Sequence, residues 1–114
     1  MMLGMRLGSC NVLIINPRDL PALFKDLARQ PFHSFPGVNT LFNAMVHHPD
    51  FHKVDWSKMR VTLGGGMQVQ HHTAQLWREH TAVNICEAYG LSETSPGVTC
   101  NIPNATEFTG TIGL

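Results

Sequence analysis

The chain has 114 residues, a formal net charge of zero at pH 7, 43% hydrophobic and 14% charged residues, which describes one small domain rather than a nucleic-acid footprint or an acidic solvated tail. A chain of this size buries roughly two-thirds of its unfolded surface, enough for one modest core. Cys10, Cys86 and Cys100 share no C-x-x-C spacing, so neither a disulfide framework nor a zinc knuckle is indicated, and a reducing cytosol fits best.

The first ten residues, MMLGMRLGSC, are apolar but short, contain Arg6 and have no basic stretch ahead of them. They fail as a signal peptide and as a membrane span, and read as the middle of an element. Residues 11–16, NVLIIN, are apolar and rich in β-branched side chains, which predicts a buried strand. A helix follows, capped by Asp19 with Pro21 in its first turn; Leu20, Leu23, Phe24, Leu27 and Ala28 give it one apolar stripe, and Gln30-Pro31 ends it.

Residues 32–38, FHSFPGV, predict a second strand ending in a turn at Pro36-Gly37. Asn39 then caps a short helix with Leu41, Phe42, Met45 and Val46 on its apolar face, stopped by His48-Pro49. His47, His48 and His52 straddle Pro49, which denies them helical alignment around a metal, so they read as surface histidines. A polar connection with Asp50, Lys53 and Asp55 leads to a third strand at 59–63, which runs into Gly64-Gly65-Gly66. Val69, Thr73, Leu76 and Trp77 mark another helix by their spacing, and VNIC, 83–86, a fourth strand. Phe32, Phe35, Phe42 and Trp77 read as core.

The order β-α-β-α-β-α-β predicts an α/β unit with a largely parallel sheet and flanking helices, because parallel neighbours need crossovers of about helix length. No repeat, low-complexity stretch or linker divides residues 1–114. Ligands of such sheets sit at the carboxyl ends of the strands, where both unusual loops, 64–67 and 87–95, belong. Asn104-Ala105-Thr106 is formally a glycosylation acceptor, with nothing else pointing to secretion.

The three glycines suit either a tight turn with positive φ or a wall that lets backbone approach a flat ring. They match neither G-x-x-x-x-G-K-[ST] nor G-x-G-x-x-G. In EAYGLSETSP, 87–96, Tyr89 offers a ring for stacking and Gly90 a turn. Ser92 and Thr94 offer hydroxyls for phosphate oxygens, and Glu93 a hard oxygen suited to magnesium. Each has a plain counterpart: a core tyrosine, a helix cap, a solvated acid. Together in one turn they point to a ligand.

GVNTLF (37–42), VTLGGGMQV (61–69), EAYGLSETSP (87–96) and TGTIGL (109–114), in this order and spacing, resemble the central part of the acyl-adenylate-forming, or AMP-binding, superfamily. Residues 16–45, NPRDLPALFKDLARQPFHSFPGVNTLFNAM, resemble most the bacterial long-chain fatty acid CoA ligases. The resemblance implies part of the large amino-terminal domain of an adenylate-forming enzyme, truncated at both ends. It implies fatty acid, ATP and coenzyme A as substrates, Mg2+ as cofactor, no nucleic-acid partner, and a cytoplasmic enzyme whose peripheral association with the inner face of the membrane is left open.

Two steps are implied: attack of a carboxylate on the α-phosphorus of ATP to give an acyl adenylate, then displacement of AMP by the coenzyme A thiol. Two unit charges about 4 Å apart repel by about 4 kcal/mol at an effective dielectric near 20, so a cation must accompany the phosphates.

By position in the motif, the resemblance makes Glu93 the magnesium ligand and Ser92 the hydroxyl on the α-phosphate, both catalytic. Tyr89 would stack on adenine, with Glu87, Ala88, Gly90 and Leu91 lining the same slot alongside Ser92, and Gly65, Gly66 and Met67 the opposite wall. Gly37 and Val38 fall where the acyl tunnel begins. Ala88 stands where glycine is usual, Ser92 replaces the commoner threonine and Gln68 a usual proline. The lysine-ending Ser/Thr/Gly loop that grips phosphates, the later ribose-binding aspartate and the carboxyl-terminal domain with its lysine do not occur in the 114 residues. The chain alone is therefore expected to be inactive. The other expectation is a free-standing α/β module that binds a nucleotide or a partner without chemistry.

Overall fold

A computed structural model describes every residue except Met1, Pro96, Asn104, Thr106 and Leu114. The formal glycosylation acceptor and the last residues of the 87–96 and 109–114 motifs thus lie outside the described residues. A short helix, α1, covers Met2–Arg6. The strand expected at 11–16 does not form. Val12, Leu13 and Ile15 are exposed and only Ile14 packs against the core. A lone apolar run has no ladder partner for its N–H and C=O groups, and pairing rather than composition makes a strand.

Helix α2 spans Leu20–Leu27 as its stripe predicts. Asp19 Oδ1 accepts the Ala22 N–H at 3.2 Å, satisfying one of the orphan donors of the first turn, and Leu23 and Phe24 are buried. Strand β1 covers Ser34–Gly37, shorter than the expected 32–38. Helix α3, Asn39–Val46, has Val38 as its N-cap, without a side-chain bond. Asn39, expected as that cap, sits inside the helix and sends its side chain elsewhere. A 3-10 turn over Pro49–Lys53 follows.

Strand β2, Val61–Gly64, lies slightly later than 59–63 and takes in the first glycine of the triple. Helix α4, His71–Thr81, ends on Ala82 in the left-handed conformation at φ 58°. Strand β3 covers Ile85–Gly90. Residues 87–90 of the segment expected as a loop are therefore strand. It turns back through a second 3-10 turn, Ser92–Thr94, into β4, Gly97–Cys100.

The sheet order is β1-β2-β3-β4. The first three strands are parallel, with Gly37 beside Gly64 and Gly64 beside Glu87. β4 is antiparallel to β3, pairing Ala88 with Cys100 and Tyr89 with Thr99, with a register shift at Tyr89/Gly90. Residues 109–113 fold back over this hairpin: Asn101 Nδ2 donates to the Thr111 carbonyl, and the Thr99 hydroxyl to that of Ile112.

The core is aromatic. Trp77 of α4 meets Phe42 of α3 with ring centres 4.8 Å apart and stacks on Phe35 of β1 at 6.0 Å, while Phe51 and Trp56 pack at 4.8 Å beside them. Phe35, Phe42 and Trp77 are buried and Phe32 packs against the cluster, as their spacing suggested. Both indoles satisfy their N–H groups, Trp77 on the Thr62 hydroxyl at 3.3 Å and Trp56 on the Phe51 carbonyl at 3.1 Å, as a buried indole must. Among the described residues no helix is long and apolar enough to cross a membrane.

Candidate functional site

Parallel pairing in register brings the carboxyl ends of β1, β2 and β3 to one edge. The chain leaves β1 at Gly37-Val38, β2 at Gly64-Gly65-Gly66 and β3 at Gly90. The Gly65 N–H donates to the Gly37 carbonyl at 3.2 Å, so the glycine corner leans on the end of β1. Two of the three glycines answer demands that a side chain would not meet. A Cβ on Gly64 would lie 2.7 Å from both Ile85 Cγ2 and Val69 Cγ2, closer than packing permits. Gly66 has φ +76°, which side chains disfavour. Gly65 stands against the Ala88 carbonyl, 3.5 Å from its would-be Cβ, and Gly66 likewise faces Val38 Cγ1 at 3.5 Å.

Around this corner Val38, Met67, Tyr89 and Leu91 are exposed, Tyr89 to 44%. Tyr89 is thus no core tyrosine: its ring stands open to solvent. The far side of the site is the turn 91–95. The Leu91 N–H donates to the Thr94 hydroxyl at 3.0 Å, that hydroxyl donates to the Leu91 carbonyl at 2.9 Å, and Ser95 is left-handed at φ 63°. Thr94 therefore serves as the local cap that sequence allowed it to be. Ser92 and Glu93 are exposed on the same turn. The contacts that gather the site run through Gly37, Val38, Gly65, Gly66 and Ala88, with Ser92 and Glu93 beyond them at the strand end.

Glu87 is placed differently. It is 3% exposed, and its Oε1 accepts the Val69 N–H at 3.1 Å. Oε2 is the buried side-chain oxygen without a partner among the described residues. The next amide, Gln70 N–H, donates to Asn39 Oδ1 at 2.9 Å. Two side chains thus clamp the exit of the glycine corner from 18 and 31 positions away. Sequence carried no signal for either contact, since local spacing is blind to such separations.

Two concavities lie away from this edge. One of about 360 Å³ is lined by Phe51, His52, Asp55, Trp56 and His80; the other, about 170 Å³, lies between β3, β4 and the returning segment and includes Cys86 and Cys100. Burial, with the Cys100 sulfur nearby, pushes the Cys86 thiol above its ordinary range. The strand-end site is instead an open surface. Its donor set is one exposed carboxylate, Glu93, with a neighbouring hydroxyl. That suits Mg2+, which keeps several waters and takes one or two carboxylates plus phosphate oxygens rather than an all-protein cage.

The sequence model of the family described as AMP-binding enzyme matches residues 1–114. The long-chain-fatty-acid–CoA ligase of Yersinia pestis is 44% identical over 113 residues, which is 99% of this chain and 20% of that protein. The ligase of the same description from Haemophilus influenzae is 41% identical over the same span. Among solved structures, a benzoate CoA ligase from Burkholderia xenovorans superposes with a TM-score of 0.84 at 21% identity, covering 96% of this chain and 22% of that one. An anthranilate CoA ligase in complex with anthranoyl-AMP gives 0.82 at 22% identity, covering 92% and 20%. The fold is that of these adenylate-forming CoA ligases, and the chain spans about a fifth of the length of its curated relatives. With the family match running its whole length, the chain belongs to the AMP-binding enzymes.

Proposed function

We propose that residues 1–114 form one wall of the nucleotide site of a long-chain fatty acid CoA ligase. One observation carries this: the triple-glycine corner stands against the Ala88 carbonyl, next in sequence to the exposed Tyr89, at the carboxyl edge of a parallel sheet, in a chain 44% identical to such a ligase. That identity over 99% of the chain favours a ligase segment over a free-standing binding module.

In this reading Tyr89 stacks on adenine. Ala88 and Gly90 give the ring a flat backbone, Leu91 closes the side, and Gly65, Gly66 and Met67 face it. Glu87 supports the slot from beneath. Ser92 donates its hydroxyl to an α-phosphate oxygen, and Glu93 holds Mg2+, which when bound screens the phosphate charge from the incoming carboxylate. The fatty carboxylate oxygen bonds to the α-phosphorus as the bond to the bridging oxygen of pyrophosphate breaks. Coenzyme A sulfur then bonds to the acyl carbon and AMP departs with the carboxylate oxygen. Gly37 and Val38 border the acyl chain. A cytoplasmic location fits substrates such as ATP and coenzyme A; peripheral contact with the inner face of the membrane belongs to the complete enzyme.

The test is a graft. Residues 1–113 of this chain replace their counterpart in the Yersinia pestis ligase, and fatty-acid-dependent exchange of pyrophosphate into ATP is measured. Exchange is expected, and Glu93→Ala in the graft is expected to lower its rate about 100-fold or more, as for loss of a group that stabilises transition-state charge. A folded graft without exchange, or one indifferent to Glu93→Ala, overturns the proposal.

A further inference from the structure

The geometry points to Glu87 as the positioning residue of the nucleotide slot, acting through the Val69 amide to fix where the glycine corner stands relative to Tyr89. Three observations meet in this side chain. Glu87 pairs with Gly64 across β2 and β3, directly below the corner. Its Oε1 takes the Val69 N–H at 3.1 Å, and Val69, itself 1% exposed, fills the space a side chain on Gly64 would need. The residue two further along β3 is Tyr89, and alternation puts the two on one face of the strand. The entrance of the corner is held by Gly65 on Gly37, and its exit by Val69 on Glu87 and Gln70 on Asn39. What is left between, Gly66 to Gln68, is exposed.

A carboxylate is a costly way to hold one amide. Its second oxygen is enclosed without a partner among the described residues, and such a group in a native fold calls for an explanation beyond local packing. A strut that holds one wall of a site at a set distance from the other supplies it. Glu87 touches no nucleotide in this scheme, and so it is a positioning rather than a catalytic residue.

The experiment uses the 114-residue chain labelled with 15N, in wild-type, Glu87→Met and Glu87→Gln forms. Methionine has a similar length and weaker acceptor power, while glutamine keeps the acceptor. In the wild type the Val69 amide is expected to exchange with solvent at least about 100-fold more slowly than the exposed Gly66 amide. In Glu87→Met that protection falls about tenfold or more and the Gly65 and Gly66 signals move; Glu87→Gln restores both. A wild-type Val69 amide that exchanges as fast as Gly66 overturns the inference whether or not the methionine variant folds, and so does a folded Glu87→Met chain whose corner signals stay in place. The inference rests on the nucleotide reading only in its last arm. There AMP is titrated calorimetrically into the Yersinia pestis graft, and the graft carrying Glu87→Met is expected to bind at least about fivefold more weakly than the unsubstituted graft, the scale of one hydrogen bond. If the folded, unsubstituted graft binds no AMP, the nucleotide reading falls, while the exchange comparison still decides the role of Glu87.

Discussion

At Gly64 an added methyl would meet Ile85 Cγ2 and Val69 Cγ2, both at 2.7 Å. These are short branched side chains in the core, not flexible ends that swing aside. Gly64→Ala is therefore expected to cost about 1–3 kcal/mol, the range for overpacking, and urea unfolding should show a lower midpoint at unchanged slope. Gly65→Ala is the contrast: its methyl would lie 3.5 Å from the Ala88 carbonyl, an ordinary contact, so stability should stay within about 0.5 kcal/mol. Equal losses at the two positions would refute this division of labour. Sequence posed the triple glycine as either a turn or a ligand wall. The three positions differ: Gly66 meets the turn's positive φ, Gly64 is required by core packing, which neither alternative named, and Gly65 has room for a methyl; a run of identical letters carries no means of telling them apart.

Among the elements, α2, α3 and α4 were legible, α1 and the two 3-10 turns were not, and strands were legible only in part. Asp19 and the Leu23–Phe24–Leu27 stripe mark α2 because a helix is specified within its own turns. A strand is specified by its neighbours: residues 11–16 have the composition without the partner, while Glu87–Gly90, polar and glycine-containing, becomes strand because β2 and β4 flank it. The antiparallel β4 was not anticipated for the same reason. In the site, the placing of the glycine corner beside β3 at one edge followed from the strand order, but the inward turn of Glu87 and the reach of Asn39 to Gln70 did not. The α4–β2 contact can be tested directly. Thr62→Val keeps the volume and removes the acceptor of the buried Trp77 N–H, so it should cost about 1–3 kcal/mol, the penalty of an unmet buried donor. In a Trp77→Phe background, which has no such donor, the same change should cost measurably less. Additive losses in urea unfolding would show that the bond contributes nothing.

For the molecule as a whole, what the site lacks is as informative as what it holds. At the strand-end edge Val38, Met67 and Tyr89–Glu93 are exposed, and the two concavities described above include no residue of the corner or of Tyr89–Glu93. Among the described residues no group of three His, Cys, Asp or Glu side chains is placed to hold a metal; in the proposed reading Glu93 would offer one ligand, and phosphate and water would supply the rest. In the proposed reading an ATP at this edge would have one wall, and bulk water on the other. Charges that repel by about 4 kcal/mol at a dielectric near 20 still have to be brought together, and water at an open site competes with coenzyme A for the adenylate. The 114-residue chain alone is therefore expected to form no acyl-CoA above background from fatty acid, MgATP and coenzyme A, while the Yersinia pestis graft, which encloses the same wall in the remaining four-fifths of a relative, is expected to turn over. Thioester formation by the purified chain, followed by loss of free thiol and by mass, would mean that this wall carries the whole reaction by itself.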